Sequence, residues 1–107
     1  MTLRRQSKKA LLNLETLIKD AVSFAILGNP DLVATYDLCS AAIVRADRIQ
    51  VQQVLLNLLQ NSCEAVGGEP CRVEIRSLVH GKFVQVCISD AGPGIAPDVL
   101  PIYLTCL

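Results

Sequence analysis

Apolar and polar positions alternate with two distinct periods along this chain, and the switches between them outline its elements. From Leu11 the apolar residues recur as Leu11, Leu14, Ile18, Ala21, Val22 and Ala25, with Glu15, Thr16, Lys19, Asp20 and Ser23 opposite. That stripe predicts an amphipathic helix. Gly28-Asn29-Pro30 ends it, because Gly suits a C-terminal cap and Pro cannot continue the ladder. Residues 32–38 alternate and are rich in Val, Thr and Tyr, which predicts a strand. A turn near Cys39-Ser40 leads to a short apolar strand, Ala42–Arg45. Asp47 then offers a helix N-cap, with Gln50 at the third helical position as in a capping box. The second predicted helix runs from about Arg48 to Val66 and stops at Gly67-Gly68. Residues 72–78 and 83–89 alternate again around a hairpin turn at His80-Gly81. Helix, two strands, helix, two strands predicts an α+β fold, a two-layer α/β sandwich. Residues 1–10 are polar and read as a linker or the end of a preceding helix, leaving 11–107 as the domain.

Composition narrows the function. The 107 residues fit one small domain; 51% are hydrophobic and mean hydropathy is +0.42, which excludes a disordered tail. Ten basic and ten acidic residues cancel, so nothing favours nucleic acid, whose backbone demands excess positive charge. Arg4, Arg5, Lys8 and Lys9 read as a solvated helix start or linker. The five cysteines are odd in number, irregularly spaced and form no C-x-x-C pair. That argues against a zinc site or a disulfide framework and for reduced thiols. No apolar run reaches the ~18–20 residues needed to span a bilayer, and no signal peptide is visible. The expectation is a cytoplasmic chain without membrane contact.

The second helix carries the first unusual chemistry. On a helical wheel Val51, Val54, Leu55, Leu58, Leu59, Ser62 and Val66 share one broad face, while Gln50, Gln53, Asn57, Asn61 and Glu64 share another. The polar face has no cation, and Asn is a mediocre helix former, so two of them one turn apart run against local preference. A carboxamide oxygen can ligate Mg²⁺ and leave room for phosphate oxygens; a solvated polar stripe is the equal alternative. Asp90 has the parity of Val84, Val86 and Ile88, which directs it to the buried face, where a carboxylate needs a hydrogen-bonding partner. Gly92 and Gly94 permit a tight turn and close ligand approach. An inward acceptor there suits an exocyclic adenine amine, although an Asp-Gly turn by itself is common.

Taken together the two segments resemble the GHKL superfamily (gyrase, Hsp90, histidine kinase, MutL). Asn57, Leu58, Asn61, Ser62 and Ala65 match its pattern N-L-x-x-N-[AS]-x-x-A, and Asp90, Gly92, Gly94 and Ile95 match D-x-G-x-G-I. The approach "VRADRIQVQQVLLNLLQN" is further similar to sensor histidine kinases of the FixL and nitrogen-regulator type. The resemblance spans roughly residues 10–100 and implies the histidine kinase-like ATPase fold with ATP and Mg²⁺ as cofactors. It implies Asn61 as the Mg²⁺ ligand, Asn57 on the phosphate side, Asp90 on the adenine amine, and Gly92, Gly94 and Ile95 around the adenine. Hydrolysing members usually carry Glu where Asn57 stands, and Asn cannot act as a general base toward water. The implied activity is phosphoryl transfer from ATP to a protein histidine. The implied partners are ATP or ADP, a phosphoacceptor histidine domain and a response regulator, with a homo-oligomer possible.

The chain departs from the pattern after Ile95. No second glycine box follows, "APDVLPIYLTCL" replaces the Phe-rich box and lid, and the final strands of the sheet are expected to be missing. His80, the sole histidine, lacks acceptor-like surroundings and reads as a solvated turn residue. These departures imply a C-terminally truncated domain, inactive by itself. The alternative is a non-catalytic remnant or interaction module that kept the sandwich, exposing a sheet edge open to pairing.

Overall fold

In the computed structural model eight elements run in the order β1 (Lys9–Asn13), α1 (Leu14–Gly28), β2 (Val33–Asp37), β3 (Ile43–Asp47), α2 (Arg48–Ala65), β4 (Arg72–His80), β5 (Phe83–Asp90) and β6 (Leu100–Cys106). The residues described are 8–39, 42–65, 70–90 and 100–106, without the side chains of residues 65, 90, 100 and 101. The strands form one six-stranded sheet in the order β1-β3-β6-β5-β4-β2, and α1 and α2 contribute their apolar stripes to one core with it. This is the expected two-layer α/β sandwich. All strand neighbours are antiparallel except β2 and β4, which are parallel.

The first helix starts later than the apolar spacing suggests. Leu11 lies in β1, 65% exposed, rather than in the helical stripe. Asn13 sets the boundary: its side chain accepts from the Thr16 backbone N–H at 3.1 Å, so Leu14 becomes the first helical residue. The segment before the cap is then extended and pairs with β3, Lys9 opposite Asp47 through Asn13 opposite Ile43. Leu14, Leu17, Ile18, Ala21 and Val22 are buried along α1. Gly28 is its last residue, and the Asn29 N–H closes the end on the carbonyls of Ala25 and Ile26. Lys19 bonds Glu15 at 2.9 Å and lies over the Tyr36 ring, 5.8 Å from its centroid, linking α1 to edge strand β2.

The β3–α2 junction is the best-tied point of the chain. Asp47 is 4% exposed. Its Oδ1 accepts from the backbone N–H of Ile49 at 3.0 Å and Gln50 at 3.4 Å, and its Oδ2 from that of Lys8 at 3.0 Å. One carboxylate thus caps α2 and fastens the start of β1 to it. Val51, Leu55 and Leu59 are buried; each contributes about 1.5–3 kcal/mol before conformational entropy. The apolar face of α2 is narrower than the wheel suggests. Val54 is 43% exposed and Leu58 only partly buried, because both lie on the flank shared with the asparagines.

Strands β4 and β5 join through a two-residue turn, with Gly81 at φ 57° and His80 opposite Phe83. The turn is therefore Gly81-Lys82, one residue later than expected, because the φ > 0 position belongs to glycine. Val73, Ile75, Val84, Val86 and Ile88 face the core. The buried Ser77 hydroxyl accepts from the Cys39 N–H at 2.8 Å, holding the segment after β2 against β4.

Two further features depart from the sequence reading. Strand β6 lies between β3 and β5, with Leu104 7% exposed in the core. The sheet is thus continuous there, and its outer strands are β1 and β2. Secondly, Cys63 at the end of α2 and Cys71 just before β4 form a disulfide, their Cα atoms 5.0 Å apart. Spacing argued against pairing because they are eight residues apart without a recognised motif; the approach of the helix end to the sheet brings them together. No described helix is long and apolar enough to cross a membrane.

Two stability measurements follow. Asp47→Ala removes the cap and leaves three N–H groups short of an acceptor, so urea unfolding should show a loss of about 2 kcal/mol. Leu104→Ala should lose about 2–4 kcal/mol, lowering Tm by on the order of 10 °C; an unchanged Tm would mean that β6 is not part of the core.

Candidate functional site

Asn57 and Asn61 lie one turn apart on α2, and both side chains are exposed. The exposed Gln53 continues the stripe, with Val54 and Leu58 beside it. The helix stands on the sheet through Val51, Leu55 and Leu59, so burial of that face fixes which face is presented outward. Along α2 the asparagines share their face with the amide of Gln53 and the exposed carboxylate of Glu64. Carboxamide oxygens can accept from water or enter a cation's coordination shell, and their N–H groups can donate to phosphate oxygens.

Asp90 is the last residue of β5, and its backbone pairs with Val73 of β4. Its side chain lies outside the described residues, as do Gly92, Gly94 and Ile95 entirely. The end of β5 and the end of α2 are nonetheless joined by a short path. Asn61 is two residues before Cys63, Cys63 is bonded to Cys71, and Cys71 is two residues before Val73, the partner of Asp90. The C-terminal end of the asparagine helix and the position of Asp90 therefore belong to the same end of the sheet. His80 sits at the opposite end of β4, exposed at the hairpin, away from this junction.

The described surface clefts gather elsewhere. One of about 390 Å³ runs between α1 and α2 beside Phe24, Leu56 and Gln60; another of about 470 Å³ lies by Asp20, Leu27 and Arg48. A third, of about 210 Å³, separates the turn at 28–32 from Cys63 and Cys71. None of these three is lined by Asn57 or Asn61. The displaced proton affinities also lie apart, on α1 and β2. Glu15, hydrogen-bonded to Lys19, raises that ammonium, and burial raises the Tyr36 phenol. Among the described residues no three His, Cys, Asp or Glu side chains gather in a way that could hold a metal. The cysteine pair beside Asn61 is the feature that sequence reasoning missed. No spacing signal marked it: Cys63 is two residues after Asn61 and Cys71 just before β4, and they meet only because the helix end returns to the sheet.

Comparison with known proteins identifies the family. The histidine kinase-, DNA gyrase B- and HSP90-like ATPase family matches residues 46–105. The sensor protein FixL of Bradyrhizobium diazoefficiens is 35% identical over 104 residues, covering 92% of this chain and 20% of that protein. The sensory histidine kinase/phosphatase NtrB of Rhizobium meliloti is 40% identical over 73 residues, covering 54% of this chain and 19% of that protein. The chain thus spans about a fifth of the length of these relatives. Among solved structures, the catalytic domain of histidine kinase ThkA superposes with a TM-score of 0.68 at 30% identity, over 83% of this chain and 63% of that one. The family match extends from the end of β3 through both asparagines and Asp90 into β6, more than half of the sequence, and the chain belongs to the histidine kinase-, DNA gyrase B- and HSP90-like ATPase family.

Proposed function

We propose that this chain is the ATP-binding part of the catalytic domain of a two-component sensor histidine kinase, serving phosphoryl transfer from ATP to a protein histidine. The observation that carries the reading is the pair Asn57 and Asn61, exposed on a helix whose last turn is joined to the strand pair ending at Asp90. In it Asn61 supplies a carboxamide oxygen to Mg²⁺, and Asn57 lines the phosphate side. Asp90 accepts from the adenine amine, and Gly92, Gly94 and Ile95 enclose the base. The donor set fits a cation held jointly with a nucleotide: the Asn61 amide oxygen would be one ligand to a Mg²⁺ that keeps its waters and is held mainly by phosphate. When bound, the metal neutralises charge on the transferred phosphoryl group; the contribution of this chain is to hold and orient the nucleotide.

The partners in this reading are a phosphoacceptor histidine domain and a response regulator in the full system. The likeness to ThkA supports it, since one of the structures of that kinase is a complex with the response regulator TrrA, 30% identical to this chain with a TM-score of 0.68. His80 stands at the end of β4 away from Asp90, which supports an acceptor histidine other than His80. The alternative is a non-catalytic remnant or interaction module that keeps the sandwich; with β6 beside β5, its sheet edges would be β1 and β2.

Calorimetry of the chain with ADP should show binding that strengthens when Mg²⁺ is added. Asn61→Ala should weaken MgADP binding about tenfold and remove the gain from Mg²⁺, and Asp90→Asn should remove the preference for ADP over GDP. Absence of heat at millimolar nucleotide, or binding indifferent to both substitutions, would overturn the reading. Because Asn57 cannot accept a proton from water, phosphate release from ATP should stay at the no-enzyme background; release above background from pure protein would point instead to a hydrolase.

A further inference from the structure

The disulfide between Cys63 and Cys71 is placed where it bears on the asparagine helix. Cys63 lies in the last turn of α2, two residues after Asn61. A helix end leaves its final carbonyls without intrahelical donors and frays unless something holds it, and the last turn of α2 contains no basic side chain to do so. Among the described residues it is tied to the sheet by the bond to Cys71, which is 4% exposed: the Cys71 carbonyl accepts from the Val33 N–H at 2.8 Å, at the start of the β2–β4 pairing. Opening the bond would remove this covalent tie two residues from Asn61, while Cys71 stays in place.

The pair is also reachable. Both cysteines line the cleft of about 210 Å³ beside the turn at 28–32, and Cys63 is only half-buried. A small thiol or disulfide can approach Cys63 from that cleft, with Cys71 behind it as the resolving partner. Cys39 and Cys87 lie outside this disulfide in the same chain.

We propose that Cys63 and Cys71 form a thiol–disulfide modification site whose state sets the affinity of the chain for magnesium nucleotide, the oxidised form binding more tightly. This rests on the nucleotide reading of Asn61 given above. The co-reactant is a low-molecular-weight disulfide such as oxidised glutathione. The Cys63 thiolate attacks one of its sulfurs, a mixed disulfide forms at Cys63, and one glutathione leaves as the thiol. The Cys71 thiolate then attacks the Cys63 sulfur and expels the second glutathione, so two protein thiols are oxidised and one glutathione disulfide is reduced to two thiols. Cross-linking orders the last turn before the ligand arrives, so that ordering no longer opposes binding. Reduction returns it.

The test is calorimetry with MgADP on the 107-residue chain equilibrated in oxidised or in reduced glutathione. Alkylation and peptide mass mapping report the state of Cys63 and Cys71 in each sample, and the Cys63→Ser/Cys71→Ser double variant serves as control. The expected result is a 63–71 disulfide in the oxidised sample, at least threefold weaker MgADP binding in the reduced one, and no glutathione dependence in the double variant. The proposal is overturned if the oxidised sample carries both thiols free, or if the double variant shows the same redox dependence. Equal affinities in the two states overturn the coupling alone and leave the nucleotide reading standing, whereas no MgADP heat in either state defeats both.

Discussion

The Asp47 carboxylate joins the two layers of this fold. It ends a strand, caps the helix that follows and holds the segment leading into β1, all from a position nearly closed to water. A buried carboxylate is tolerable only when its lone pairs are filled, so three elements must meet in one geometry for it to be stable. That geometry sets where α2 begins. Burial of Val51, Leu55 and Leu59 then sets its rotation, and together they determine that Asn57 and Asn61 face outward. Residues held this way stand on a helix rather than on a loop, the placement a precise binding surface needs.

The far end of the same helix is fixed by a different means. There the tie is covalent, and it runs to a cysteine at the entrance to β4, whose second residue Val73 pairs with the end of β5. A polar group buried at one end and a redox-sensitive bond at the other make the asparagine helix stiff along its length but conditionally so. In the proposed kinase role such stiffness would matter, because phosphoryl transfer draws chiefly on position and electrostatics.

Much of this was legible in the sequence. The strands at β2, β3, β4 and β5 and the helix α2 were readable because period, cap and turn signals agree locally: Asp47 before α2, and glycine at the β4–β5 turn. The asparagines and Asp90 stood out as a pair of motifs, and the family assignment followed the same residues. The misses have a common cause, which is dependence on distant parts of the chain. Leu11 fits a helical stripe equally well, and only Asn13 capping and pairing with β3 reveal a strand. β6 contains Pro101, a poor residue for a strand between two others, and its place is specified by the gap between β3 and β5. Cys63 and Cys71 meet because a helix end returns to the sheet, which no spacing rule encodes.

The most direct measurement is a pair of nitrogen–proton NMR titrations of the chain, with ADP alone and with ADP plus Mg²⁺. Asn57 and Asn61 serving one nucleotide site predict that both side-chain amides and the Asp90 backbone amide shift on nucleotide addition, with the Asn61 signals moving further only when the metal is present. Shifts confined to the cleft between α1 and α2, around Phe24 and Gln60, would contradict it.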